Sequence, residues 1–253
     1  MTIGHTPRTL LWISGATQGL GLGLARTQPY ADARIINLSR RAHPDLETVS
    51  FDLRQPETYA AVQASFEREL RDFRGERAVF VHNAYYPGQP GFVGEGDPAE
   101  SARCIQANAV APLVLGEMFL RAVKPDYESG LVLMSSAAAR HPFAGNASYC
   151  AAKAGVEMWV RTVRRELKAR GRRTWVVAVR PGFVDTPSTR HIATLAAQEY
   201  PVAPQMARQF ETGQGVLSPD QAARDIWAAL PPNGEESVLL FGEMVPDTAQ
   251  RPG

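Results

Sequence analysis

The chain has 253 residues, 44% of them hydrophobic and 21% charged, a composition ordinary for a soluble globular protein. Its 27 basic and 26 acidic side chains give a formal net charge of +1, which argues against a nucleic-acid partner, because nucleic-acid binders are strongly basic. The chain has two cysteines, which form no C-x-x-C pair, and five scattered histidines. This pattern predicts no metal site. The two cysteines exclude a disulfide scaffold and favour a reducing, cytoplasmic compartment.

Apolar runs of strand length alternate with helical patterns along the chain, and no apolar run near its start is long enough for a signal peptide or a membrane span. Strands are predicted at 9–14, 34–38, 49–53, 78–81, 131–135, 174–179 and 238–241. Helices are predicted at 20–29, 57–73, 99–123, 148–169 and 221–230. Continuously apolar strands indicate burial on both faces, so we expect one α/β domain over 1–253 with a helix-covered parallel sheet and no membrane partner.

A glycine-rich turn follows the first predicted strand. Gly15, Gly19 and Gly21 come directly after that strand and open the first predicted helix. Glycine permits a tight turn and lets backbone N–H groups approach a pyrophosphate. The strand–turn–helix context therefore favours a dinucleotide site over an ordinary βα turn.

The second predicted strand ends in Ser39-Arg40-Arg41, where an NAD site usually places an acid for the ribose 2′-hydroxyl. Two guanidinium groups suit a 2′-phosphate, although two solvated surface arginines would give the same pattern. We therefore predict NADP (NADPH) rather than NAD as the cofactor. Asp52, after the third predicted strand, either accepts a hydrogen bond from the adenine amino group or caps a turn.

Tyr149 and Lys153 are four residues apart in a predicted helix and so share one face of it. A free phenol, with a pKa of about 10, is a poor base at neutral pH. A cation near 4 Å, at an effective dielectric constant of about 20, favours phenolate by roughly 4 kcal/mol, or about three pKa units, before any opposing desolvation. We therefore expect the lysine to lower the pKa of Tyr149 to near neutral pH, where acid–base catalysis works best.

Ser136 follows the fifth predicted strand, and ligands of parallel sheets lie outside the carboxyl ends of the strands. A serine hydroxyl there either polarises a substrate carbonyl or caps a turn. The serine lacks a surrounding G-x-S-x-G sequence, so a hydrolase nucleophile is disfavoured.

The ordered set of motifs resembles the short-chain dehydrogenase/reductase family over nearly the whole chain. The motifs are the glycine turn at 14–21, Asp52, His82-Asn83-Ala84, Asn108, Ser136, Tyr149, Lys153 and the segment 180–186. The segments 149–155 and 181–186 look most similar to the sepiapterin-reductase and benzil-reductase branch. The resemblance implies an α/β fold with a doubly wound, Rossmann-type parallel sheet of about seven strands and helices on both faces.

The resemblance also implies residue roles. Tyr149 would be the proton donor, Lys153 would lower its pKa and hold the nicotinamide ribose, Ser136 would orient the substrate carbonyl, and Asn108 would hold a water that links Lys153 to solvent. The glycines would surround the pyrophosphate, and the backbone near Val184, with Thr186, would meet the nicotinamide carboxamide. The full set of implied cofactor-binding residues is Gly15, Thr17, Gln18, Gly19, Leu20, Gly21, Ser39, Arg40, Arg41, Asp52, Leu53, Asn83, Ala84, Tyr149, Lys153, Pro181, Gly182, Val184 and Thr186.

Three features depart from the family pattern or lie outside it. Tyr85 follows Asn83-Ala84 where the family usually has glycine, so either it lines the substrate pocket or the local turn differs. Gln18 stands where many NADP-using relatives have a basic residue. The segment 187–215 looks irregular and weakly helical, which is typical of a substrate lid.

Together these features predict an NADPH-dependent carbonyl reductase for a small ketone, aldehyde or diketone, with Tyr149 as general acid. A 3-oxoacyl thioester reductase would share the same residues, and a non-catalytic NADP-binding sensor is the alternative from another class. The resemblance also implies a homodimer or homotetramer. The apolar segment 110–120 and Trp159 fit such an interface, but they fit a core equally well.

Overall fold

The computed structural model describes residues 7–242 and 244–246, so both ends of the predicted 1–253 domain lie outside the described residues. Its strands are β1 Thr9–Ser14, β2 Ala33–Leu38, β3 Glu47–Val49, β4 Arg77–His82, β5 Glu128–Met134, β6 Trp175–Arg180, β7 Phe183–Val184, β8 Val216–Leu217 and β9 Val238–Leu240. Its α-helices are α1 Gly19–Thr27, α2 Tyr59–Leu70, α3 Pro98–Ile105, α4 Ala111–Ala122, α5 Ala147–Ala169, α6 Pro187–Ile192, α7 Ala203–Thr212 and α8 Pro219–Ala228.

Seven of these strands form one parallel sheet in the order β3-β2-β1-β4-β5-β6-β9, with β7 and β8 paired separately. The predicted doubly wound, Rossmann-type sheet is therefore confirmed. The order reverses between β1 and β4, and parallel sheets of this kind bind ligands outside the carboxyl ends of the strands at such a reversal. The topology thus places the functional crevice beside the turn that follows β1.

Each face of the sheet carries its own hydrophobic layer. On one face, Trp12, Phe66, Phe80 and Phe119 are fully buried and pack ring against ring beneath α2 and α4. On the other face, α1 and α8 cover the alternate side chains of β1, β4, β5 and β6. Burial on both faces explains why the strand sequences are continuously apolar.

The long helix predicted at 99–123 consists of α3 and α4 joined by a π-helical turn, Gln106–Val110, in which the Ala111 N–H donates to Gln106 O. Pro112 lies four residues after Asn108 and has no N–H to give the Asn108 carbonyl. A proline ring also clashes with the carbonyl four residues before it, so a widened turn accommodates Pro112 without ending the helix.

Two stretches differ from the predicted elements. The third strand ends at Val49 instead of continuing to residue 53, because the Asp52 carboxylate accepts the Arg54 N–H at 2.9 Å and turns the chain. The segment 187–215 is more helical than predicted, because it contains α6 and α7, each with a proline in its first turn. Tyr200, Val202 and Met206 anchor it in a third hydrophobic cluster.

None of the helices in the described part of the chain is both long enough and apolar enough to cross a lipid bilayer.

Candidate active site

A cavity of about 720 Å³ opens at the carboxyl ends of the central strands, where the sheet order reverses. Every residue predicted to bind the cofactor or to act in catalysis lines this cavity, with two exceptions, Gly21 and Asn108. The cavity is continuous from Arg40 and Arg41 at one end to Ser136, Tyr149 and Lys153 at the other.

The glycine turn leads directly into α1. Gly15 and Gly19 have φ values of +73° and +52°, which L side chains rarely adopt, so the turn requires glycine. Gln18 is the N-cap of α1 but makes no side-chain capping bond, and the first turn holds no acidic residue. The first-turn N–H groups of α1 are thus left to a ligand, and a helix N-terminus of this kind suits the pyrophosphate of a dinucleotide.

Gly21 lies outside the cavity lining, although it was predicted to surround the pyrophosphate with the other glycines. A Cβ on Gly21 would come within 2.1 Å of Gly15 O and 2.6 Å of Asn83 Nδ2. Its missing side chain therefore lets α1 pack closely against the turn, and its effect on a ligand would be indirect.

The end of the cavity opposite Tyr149 and Lys153 is basic. Arg40 and Arg41 are exposed at its mouth, and Ser39 shapes the turn that presents them: its hydroxyl donates to Arg41 O at 2.8 Å and accepts from Arg41 N at 3.0 Å. Arg54, which the sequence analysis did not single out, also lines the cavity here. Three guanidinium groups therefore line this end of the cavity.

Asp52 balances part of this positive charge and caps the turn, which is the second of its two predicted roles. Its carboxylate accepts from Arg54 Nη2 at 3.0 Å and lies 3.6 Å from Arg40 Nη1. Burial alone would raise the pKa of Asp52, but the hydrogen bonds and charge of Arg54 hold it below its ordinary value.

The segment after β4 is tied to the end of β1. The Ser14 hydroxyl accepts from Asn83 N and Ala84 N, both at 2.9 Å, and Asn83 Nδ2 donates to Ser14 O at 3.1 Å. These bonds use the Asn83 side chain to hold the wall of the cavity opposite Gly15.

Ser136 and Tyr149 both line the inner end of the cavity, close enough for the Ser136 hydroxyl to oppose the rise in the pKa of Tyr149. Ser136 also accepts from Ala138 N at 3.2 Å and so caps a short 3₁₀ turn, Ala137–Ala139. The turn cap is the second of the two roles predicted for this serine. The hydroxyl is placed where it can share a substrate oxygen with the phenol.

Lys153 is buried one helical turn after Tyr149. Its Nζ donates to Met134 O at 2.8 Å and lies 5.5 Å from the centre of the Tyr149 ring. Burial lowers the pKa of Lys153 from 10.5 to about 8. The lysine is therefore mostly cationic at pH 7 and loses its charge in mildly alkaline solution.

The structure overturns the expected direction of the Tyr149 pKa. Burial, reinforced by the neighbouring Tyr85, raises the pKa of Tyr149 above its ordinary value, while the hydrogen bond with Ser136 acts in the opposite direction. The charge of Lys153 favours the phenolate, but desolvation opposes it and dominates at a fully buried phenol. Tyr149 is therefore a protonated phenol at neutral pH, which is the form a proton donor needs.

Asn108 lies behind the cavity, in the π-helical turn. Its side-chain amide donates to Tyr86 O at 2.7 Å and Cys104 O at 3.1 Å, and its Oδ1 accepts from Tyr86 N at 3.0 Å. The side chain thus clamps the loop after β4, and these bonds do not reach Lys153.

Tyr85 lines the cavity, which was the first of its two predicted placements. Its ring centre is 6.2 Å from that of Tyr149, and its hydroxyl donates to Ser188 Oγ at 2.5 Å. Ser188 belongs to α6, so the side chain that replaces the usual glycine joins the central sheet to the segment 187–215.

Thr186 and Val184 reach the cavity from the segment that follows β6. Thr186 caps α6 through reciprocal bonds with Thr189, at 3.1 and 2.9 Å. A Cβ on Gly19 would lie 3.1 Å from the Thr186 methyl group, so this segment closes against the glycine turn.

Sequence reasoning missed several lining residues besides Arg54. Phe143 and Asn146 lie in the loop between β5 and α5, and Asn146 Nδ2 donates to Tyr200 Oη at 3.4 Å. The position of Asn146, directly before the helix that carries Tyr149, was the available signal. No local pattern marks Phe143. In the described part of the chain there is also no cluster of three or more His, Cys, Asp or Glu side chains that could hold a metal ion.

The family model for short chain dehydrogenase matches residues 10–196, which include the glycine turn and the Ser136, Tyr149 and Lys153 positions. The chain is 25% identical over 229 residues to the benzil reductase ((S)-benzoin forming) of Bacillus cereus, covering 85% of this chain and 90% of that one. It is 26% identical over 191 residues to the 3-oxoacyl-[acyl-carrier-protein] reductase of Salmonella typhimurium, covering 72% and 75%.

Solved structures show the same fold. An actinorhodin polyketide ketoreductase variant with NADPH superposes with a TM-score of 0.77 at 20% identity, covering 94% of this chain and 97% of that one. The predicted family and the predicted likeness to benzil reductases are both confirmed. The chain belongs to the short-chain dehydrogenase family of oxidoreductases, which act on carbonyl and hydroxyl groups.

Proposed function

We propose that this protein is an NADPH-dependent carbonyl reductase that reduces small ketones, aldehydes or diketones, with Tyr149 as general acid. One observation carries the proposal. Ser136, Tyr149 and Lys153 converge at the inner end of the same cavity whose outer end holds the glycine turn, Arg40 and Arg41.

The residues that line the cavity support binding of an NADP dinucleotide. The open N–H groups of α1 suit the pyrophosphate, and Arg40 and Arg41 suit a 2′-phosphate, because guanidinium groups fork onto phosphate oxygens. The bound nicotinamide supplies the hydride. The protein supplies orientation and the proton.

Tyr149 and Ser136 hold the substrate oxygen. Ser136 Oγ and Tyr149 Oη lie at the same end of the cavity, so both can bond one carbonyl oxygen and polarise it. As that oxygen becomes an alkoxide it takes the Tyr149 proton, and the nearby Lys153 ammonium stabilises the phenolate left behind. The products are an alcohol and a phenolate that regains a proton from solvent.

The substrate end of the cavity is rich in aromatic and apolar side chains, which favours a hydrophobic carbonyl compound. Tyr85, Phe143, Tyr200 and Met206 line it. A diketone of the benzil type is supported by the relatives named benzil reductase. The Salmonella relative supports a second candidate, reduction of a 3-oxoacyl thioester.

The test of this mechanism is Tyr149→Phe, which removes one oxygen atom. We expect turnover of a panel of ketones, aldehydes and diketones to fall at least a thousandfold, measured as loss of NADPH absorbance, while NADPH affinity stays within about threefold. Tyr30→Phe is the matched control, because Tyr30 packs against Trp227 away from the cavity lining. Unchanged turnover in Tyr149→Phe would refute the mechanism, and a wild-type protein that binds NADPH without turnover would favour the sensor alternative.

Cofactor choice is tested by the double variant Arg40→Ala with Arg41→Ala. We expect NADPH affinity to fall about tenfold or more, with NADH affinity nearly unchanged, because only NADPH carries the 2′-phosphate. The control removes the same charge from two exposed arginines outside the cavity lining, in the double variant Arg165→Ala with Arg172→Ala. Equal losses for both cofactors would defeat the phosphate assignment.

The substrate class is tested by comparing a diketone such as benzil with a 3-oxoacyl thioester at equal concentration. A ratio of kcat/KM above about ten in favour of the diketone supports the first candidate, and the reverse ratio supports the thioester.

Three further parts of the proposal concern a substrate lid, the oligomeric state and the cellular compartment. The segment 187–215 is the substrate lid, since α6, Tyr200 and Met206 cover the inner end of the cavity. A homodimer or homotetramer forms through α4 and α5, where Val114 and Met158 are exposed; Trp159, by contrast, packs on the core. Both cysteines are free thiols, which suits a reducing cytoplasmic compartment.

A further inference from the structure

Glu157 is a buried carboxylate outside the predicted site. It lies on α5 four residues after Lys153 and eight after Tyr149, so all three side chains project from one side of the helix. Its side chain is 3% exposed. A charge this well buried must be compensated by partners, since an unpaired buried ion costs several kcal/mol.

The partners of Glu157 come from the ends of two strands. Its Oε1 accepts from Ser135 Oγ at 2.7 Å and from Arg180 Nε at 2.7 Å, and its Oε2 accepts from Arg180 Nη2 at 2.8 Å. Arg180 thus grips the carboxylate with two parallel bonds, the strongest geometry for such a pair. Arg161 adds a longer contact of 3.5 Å at the rim.

Each partner is the chain neighbour of a residue in the site. Ser135 precedes Ser136, and Arg180 precedes Pro181 and Gly182, which line the cavity. Ser135 N also donates to Val179 O at 2.7 Å, so the ends of β5 and β6 are joined directly.

Stability alone does not account for such a pair. Replacing a buried ion pair by apolar groups of similar volume is often neutral or stabilising, because desolvation offsets the attraction. Hydrogen-bonded charges do, however, define one geometry, which apolar contacts do not. Catalysis is sensitive to such geometry, since a misplacement of about 1 Å can cost a hundredfold in rate.

We propose that Glu157 is a positioning residue of the active site, whose bonds to Ser135 and Arg180 set α5 in register with the ends of β5 and β6. This fixes Tyr149 relative to Ser136 and to the loop at 181–184, which lines the cavity and would hold the nicotinamide. The inference rests on the proposed reductase function and adds to it a residue that touches neither substrate nor cofactor.

The test replaces the whole polar network by apolar groups of similar size, in the triple variant Ser135→Ala, Glu157→Leu and Arg180→Met. We expect a folded protein with a Tm within a few degrees of wild type, an NADPH Kd within about threefold, and a kcat lowered ten- to hundredfold. The fluorescence yield of bound NADPH should also fall, because the loop at 181–184, which would hold the nicotinamide, is no longer fixed.

Glu157→Gln is the second variant, used in the same assays. It keeps the shape and one acceptor but removes the charge opposite Arg180, so kcat should fall about tenfold with a smaller change in KM. Glu235→Gln is the control, because it breaks the exposed ion pair with Lys168 at the other end of α5 and should change none of these quantities.

The outcomes separate the two proposals. If the wild type turns over no carbonyl compound, the reductase function fails, and the fluorescence of bound NADPH still reports on positioning. If the wild type is active and the triple variant keeps a kcat and a fluorescence yield within twofold of it, the positioning role is refuted. Should the triple variant fail to fold, the same criterion applied to Glu157→Gln decides the matter.

Discussion

Replacing Lys153 by methionine should abolish catalysis. It should also remove the free-energy penalty of burying an ammonium group in the folded protein. The buried ammonium has its pKa lowered from 10.5 to about 8, and the direction shows that the folded protein disfavours the charged form. At 1.36 kcal/mol for each pKa unit, that corresponds to roughly 3 kcal/mol of destabilisation at pH 7. Methionine has similar length and no charge.

Part of that gain is offset, because the substitution also deletes the 2.8 Å hydrogen bond to Met134 O. A buried carbonyl left without its donor costs about 1–3 kcal/mol. We therefore expect Lys153→Met to be as stable as the wild type or up to about 2 kcal/mol more stable at pH 7. The Tm should accordingly rise by up to a few degrees.

The pH dependence separates this reasoning from a general packing effect. Between pH 8 and 10.5 the unfolded lysine binds more protons than the folded one, so wild-type stability gains a contribution that grows with pH. Lys153→Met lacks that contribution. Urea unfolding at pH 7 and pH 10, without cofactor, should show the wild type gaining about 2 kcal/mol relative to the variant. Stability curves that stay parallel over this interval would refute the buried-ammonium argument.

The other predictions use the same structure. Reduction should slow as pH rises through about 8, where Lys153 loses its charge, as shown by initial rates of NADPH loss from pH 6 to 10. Gly21→Ala should lower the free energy of unfolding, measured in urea, by about 3 kcal/mol or more, because its Cβ would lie 2.1 Å from Gly15 O. Gly155→Ala should raise the same free energy by about 1 kcal/mol, because Gly155 lies in open space on α5. Tyr85→Gly should lower the KM for bulky ketones relative to small ones in steady-state assays, and an unchanged ratio would contradict its place in the substrate wall.

Much of the fold could be predicted from sequence patterns among residues close in the chain, and the structure contains the elements that these patterns predict. The continuously apolar strands, the glycine turn and the four-residue spacing of Tyr149 and Lys153 each express a constraint between residues close in the chain. Because parallel strands share one carboxyl edge, the residues that follow them meet there. The meeting of Ser136 and the glycine turn at this edge could therefore be predicted from the strands, whereas the full set of cofactor-binding residues came only from the family resemblance.

Contacts between distant segments were not predictable in the same way. Glu157 and Arg180 are 23 residues apart and pair only because α5 packs across the ends of β5 and β6. Phe143 enters the cavity from a loop without any periodic pattern. The third strand was placed too late in the chain, because Asp52 and Arg54 form a turn within an otherwise strand-like run.

The Tyr149 pKa shows where sequence reasoning about chemistry fails. Spacing along a helix gives the sign of a charge–charge interaction, but the competing desolvation depends on how much of the protein covers the pair. In this site burial raises the pKa of the phenol and lowers that of the ammonium, so both groups are pushed towards their neutral forms. A neutral phenol beside a lysine still mostly cationic at pH 7 suits reduction, because the proton stays on Tyr149 until negative charge develops on the substrate oxygen and Lys153 can then stabilise the phenolate. The same burial opposes the reverse reaction, in which Tyr149 must first lose its proton, so alcohol oxidation should require a higher pH than carbonyl reduction.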